Sequence, residues 1–70
     1  MEKVEKELIE KLFASQTGIV DTAEYRYIRL RVKRGKTEIR RIPIELGNPE
    51  TASIDWLFPR SWELVEVISR

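Results

Sequence analysis

Residues 25–33 read Tyr25-Arg26-Tyr27-Ile28-Arg29-Leu30-Arg31-Val32-Lys33, and from Ile28 onward apolar and basic side chains alternate without a break. Alternation at period two is the pattern of a strand with one face buried. The apolar members are mostly β-branched or aromatic, which suits a pleated surface. One signal competes. Asp21-Thr22-Ala23-Glu24 has the form of a capping box and would start a helix. The period-two run outweighs it, and the first strand is placed at 24–33.

Working outward, Gly35 within Lys33-Arg34-Gly35-Lys36 marks a tight hairpin. With Arg34 and Gly35 as a two-residue loop, Val32 faces Thr37, Arg31 faces Glu38, Leu30 faces Ile39 and Arg29 faces Arg40. Ile39 then shares a face with Arg41, whereas Ile42, Ile44 and Leu46 fall on the other. One extra residue at Arg40–Arg41 would return all of them to the core side, so a β-bulge is expected there. Pro43 cannot donate to a ladder, which places the second strand at a sheet edge. In this register Ile28, Leu30 and Val32 turn toward the core. Tyr25, Tyr27, Arg29, Arg31 and Lys33, with Arg40, occupy the open face.

Residues 2–15 have the helical period, with Val4, Leu8, Ile9, Leu12 and Phe13 on one side. Glu2 and Lys6, and Glu7 and Lys11, form favourable i,i+4 pairs on the other, and Gly18 is a natural stop. Beyond the hairpin, Leu46-Gly47-Asn48-Pro49-Glu50 is a turn. It leads into a short helical segment over 50–58, with Ile54, Leu57 and Phe58 on its buried side until Pro59 ends it. Ser61–Ile68 is the last strand. Its parity is mixed: Trp62 and Leu64 point one way, Val65 and Val67 the other. The expected fold is α+β, a single small domain over 1–70. An N-terminal helix packs on a three-stranded antiparallel sheet ordered second–first–last, with a short helical segment before the last strand.

Composition restricts the chemistry. The chain has neither cysteine nor histidine, so disulfides, thiolate sites and the usual zinc ligands are missing. No metal or other cofactor is expected. General-base or nucleophilic work would fall to carboxylates, Lys, Tyr or Ser. Asp21, Glu24 and Asp55 are not brought together by their spacing, and the three glycines stand apart, so no phosphate loop exists. The chain reads as a non-enzyme. No apolar run approaches the ~20 residues of a membrane span. The charged Met1-Glu2-Lys3-Val4-Glu5-Lys6-Glu7 start cannot form a signal-peptide core, and the expected location is cytoplasmic.

Charge is sorted along the chain. Residues 25–41 hold eight basic side chains against Glu38 alone, between two acidic flanks, within an overall charge of +1. A basic strand pair bearing tyrosines suits an anionic polymer, with rings to stack on bases and cations to meet phosphates. The nucleic-acid-binding candidates are Tyr25, Tyr27, Arg29, Arg31, Lys33, Arg34, Lys36, Arg40 and Arg41. The expected function is a small regulatory binding module for nucleic acid. The alternative is an adaptor or inhibitor that docks on a larger protein through the basic face or the Trp56 region, with Trp56 and Phe58 as interface residues. A small core and a two-sided last strand also make a homodimer possible.

Overall fold

The structure is a computed structural model and describes residues 5–45 and 57–69. It is an α+β fold: helix α1 (Lys6–Ala14), then strands β1 (Ile19–Asp21), β2 (Tyr25–Lys33) and β3 (Lys36–Pro43). A 3-10 turn (Pro59–Ser61) precedes β4 (Glu63–Ile68). The four strands form one antiparallel sheet in the order β1-β2-β3-β4. The expected helical segment over 50–58 lies almost wholly outside the described residues.

Three expectations are corrected. First, the sheet has four strands. Asp21–Glu24 is no helix start: Thr22 closes a short loop, its N–H donating to the Tyr25 carbonyl at 2.8 Å while its hydroxyl accepts the Tyr25 N–H at 3.1 Å. The chain therefore turns back on itself, and Ile19–Asp21 pairs with Arg26–Ile28. Second, β3 is central. Ile44 N–H donates to the Glu24 carbonyl on the β2 side, so the vacant position at Pro43 faces the β4 side. There the ladder with β4 has already ended at Arg41, and no donor is needed.

Third, the bulge lies elsewhere. The loop does hold Arg34 and Gly35, with Lys33 opposite Lys36, but Val32 is inserted as an unpaired residue before it. Only Gly35 takes a positive φ, +74°, and Arg34 does not, so the loop is not the type I′ turn that matches strand twist at both central positions. The extra residue moves every later pair by one. Arg29 faces Ile39, Ile28 faces Arg40, and Tyr27 faces Arg41. β3 runs unbroken against β2, and the irregularity near Arg40 belongs to β4, where Val65 is the additional residue.

The shifted register gives the sheet two apolar sides. Under α1, Leu12 and Ile39 are fully buried with Tyr27 and Val65, and Leu8, Val20, Tyr25 and Ile68 pack around them. On the opposite face Ile28, Ile42 and Trp62 cluster, with Leu30 against them. Ile39 and Ile42 thus need no common face. The helix sits on the tyrosine side of β2, the reverse of the sequence expectation. Tyr27 is an amphipathic residue whose ring fills the core while its hydroxyl bonds the Arg41 side chain.

Candidate nucleic-acid interface

Arg29 shows how the fold uses part of the basic strand for itself. Its Nε donates to the Leu12 carbonyl at 2.7 Å and its Nη2 to the Ser15 carbonyl at 2.8 Å. Leu12 lies in the last turn of α1, where carbonyls lack intrahelical donors and the helix dipole favours a cation. The guanidinium also lies 5.8 Å from the centre of the Phe13 ring. Gly18 makes this approach possible. It takes φ +72°, and a Cβ there would stand 2.9 Å from Arg29 Cγ. Its carbonyl accepts the Arg29 backbone N–H at 2.9 Å, tying the turn to β2.

Arg40 and Arg41 are engaged as well, on opposite faces. Arg40 donates from Nε to Glu38 at 2.8 Å and from Nη1 to the Trp62 carbonyl at 2.8 Å. Arg41 reaches Glu63 at 3.1 Å and lies over the Tyr25 ring, 4.1 Å from its centroid. The Glu63 carboxylate and the Tyr27 hydroxyl raise its pKa further above the ordinary arginine value. Arg26 makes a bidentate pair with Asp21, at 2.7 and 2.9 Å, which pulls the Asp21 carboxyl below its usual pKa. Tyr25 and Tyr27 stand with ring centroids 6.1 Å apart, one beneath Arg41 and the other in the core.

What stays open is the end of the hairpin. Arg31, Lys33, Arg34 and Lys36 are all exposed, and none has an ion-pair partner among the described residues. The strand pairing brings these four cations to one end of the β2–β3 ribbon. Glu38, the acid nearest in sequence, is held by Arg40. Of the nine residues expected to meet nucleic acid, four therefore share one free basic tip, and Tyr25, Tyr27, Arg29, Arg40 and Arg41 serve internal contacts. Of the two expected protein-interface residues, Phe58 is 55% exposed and Trp56 lies outside the described residues. The sequence reading missed Arg29 as a helix cap. The signal was present in Gly18, which follows the helix end and leaves no side chain in the way.

A cleft of about 410 Å³ separates α1 from the sheet, bounded by Leu8, Val20, Tyr27 and Val65, with Asp21 and Arg41 at its edge. Asp21 and Arg41 are paired with neighbours, whereas Glu5, Glu7 and Lys11 of the helix line the same cleft. Among the described residues no set of carboxylates converges to hold a metal ion, and no helix is long and apolar enough to cross a membrane. Compared with protein-family models, with curated proteins and with solved structures, the chain matches none.

Proposed function

We propose that the chain is a small, non-catalytic binding module that engages nucleic acid through the tip of the β2–β3 hairpin. The observation that carries this reading is the cluster of Arg31, Lys33, Arg34 and Lys36, exposed and without acidic partners among the described residues. Uncompensated cations packed this closely repel one another, and an array of phosphates relieves that repulsion. The turn from Lys33 to Lys36 extends past the ends of the β1 and β4 ladders, which offers its cations to a duplex backbone.

The module reads phosphates more than bases. Single-strand binders combine a basic groove with open aromatic rings. Here the Tyr25 ring is covered by Arg41 and Tyr27 is buried, so base stacking has little support. The arrangement favours duplex over single strands and predicts weak sequence preference.

Fluorescence anisotropy with labelled duplex and single-stranded oligonucleotides of equal length tests the proposal. Expected is duplex binding at low salt that weakens steeply as salt rises. No binding to either at low salt would transfer the function to the second reading, an adaptor that docks on a protein. That reading is favoured by Leu57 and Phe58, apolar side chains 65% and 55% exposed beside the 3-10 turn.

A further inference from the structure

The exposed cations of the hairpin tip do not share a face. Arg31 pairs with Thr37, which has the parity of Ile39 and Arg41 on the α1 side. Lys33 pairs with Lys36, which has the parity of Glu38, Arg40 and Ile42 on the opposite side. Period two alone would keep Arg31 and Lys33 together. The inserted Val32 separates them, so the bulge decides where the charge goes. Lys33 and Lys36 also face each other directly, a like-charge pair that costs stability unless an anion lies against it. Neither face is covered at this point. The helix ends at Ala14, and Arg29, two residues short of Arg31, bonds the carbonyls there. The β1 ladder stops at Ile28 and the β4 ladder at Thr37, and residues 31–36 are all exposed.

From this two-sided arrangement, and resting on the nucleic-acid reading above, we infer that the tip enters the major groove of B-form DNA. Arg31 turns to the backbone of one strand, and Lys33 and Lys36 turn to that of the other. A ribbon lying flat on a single backbone would engage one face and leave the cations of the other in solvent. A groove walled by two backbones engages both. Of the grooves a duplex offers, the B-form major groove, about 12 Å wide, admits a two-stranded ribbon. The minor groove, about 6 Å wide, does not, and the A-form major groove is deep and narrow. The partner is therefore duplex DNA and not duplex RNA, held by phosphates of both strands with no demand on base sequence.

Anisotropy at low salt tests this with three duplexes of one sequence: unmodified DNA, DNA whose cytosines carry glucosylated 5-hydroxymethyl groups, and RNA. The glucose fills the major groove and leaves the phosphates unchanged. The expected result is binding to unmodified DNA that falls at least about tenfold on the glucosylated DNA and on the RNA. Two variants read the faces separately. Arg31→Ala should reduce the salt slope on unmodified DNA by about 0.9, and Lys33→Ala/Lys36→Ala should reduce it by about 1.8. All three positions are exposed, and circular dichroism should show both variants folded. Glucosylated DNA or RNA bound as tightly as unmodified DNA, or a slope that either variant leaves at the parent value, would overturn the groove and spare the nucleic-acid reading. No binding to any of the duplexes would remove both.

Discussion

Arg29 and Arg34 carry the same charge on the same hairpin and do different work. Arg29 supplies two hydrogen bonds to carbonyls at the end of α1, and Arg34 stands exposed in the loop. Arg29→Met keeps much of the stem and removes the donors. It should lower stability by roughly 1–3 kcal/mol, read as a reduced urea midpoint, with nucleic-acid affinity little changed. Gly18→Ala should destabilise by a similar amount, about 1–3 kcal/mol, because the new Cβ meets Arg29 Cγ in a backbone region that penalises L side chains. Asp21 gives a pH signature. Its folded pKa lies below the unfolded one, so its pair with Arg26 stabilises the fold above the ordinary carboxylate range. That contribution is lost as pH falls through this range and then through the lowered folded value. The pair is partly exposed, so its worth is at most about 1 kcal/mol. Asp21→Asn should accordingly lower the urea midpoint slightly at pH 6, by an amount that shrinks as pH falls below the ordinary carboxylate range.

Among the elements, α1 and the β2–β3 hairpin were legible because each has a single clean period. Leu8 and Leu12 mark the helix face, and Ile28, Leu30 and Val32 mark the strand. The face on which the helix packs was not legible. Period two separates the parities of a strand without saying which is covered, and Tyr27 and Arg29 look like an open binding face until their long stems are seen to pack. The bulge at Val32 was hidden for a related reason. A two-residue loop was correct, but its φ signs decide the register, and those are not written in Arg34-Gly35 alone. The exposure of Lys33, Arg34 and Lys36 was legible from the turn, because they sit where no neighbouring strand reaches. Packing under α1 is the element that carries stability: Leu12→Ala, at a fully buried position, should cost about 2–5 kcal/mol in equilibrium unfolding.

At the scale of the whole molecule, a chain with formal charge +1 gathers four exposed cations without ion-pair partners among the described residues at one end of the sheet. The fold achieves this by pairing Arg26, Arg40 and Arg41 with Asp21, Glu38 and Glu63 along the sheet, which leaves the hairpin tip uncompensated. The central claim is that this tip, and not the tyrosine-bearing face of β2, meets the phosphates. Salt dependence of duplex binding tests it most directly, since each phosphate neutralised adds about −0.9 to the slope of log affinity against log salt. Four tip cations predict a slope of about −3.6 for the parent. Lys33→Ala/Arg34→Ala/Lys36→Ala should bring it to about −0.9, while Arg29→Met should leave it unchanged. A triple variant that keeps the parent slope, or an Arg29→Met variant that loses it while remaining folded, would contradict the account.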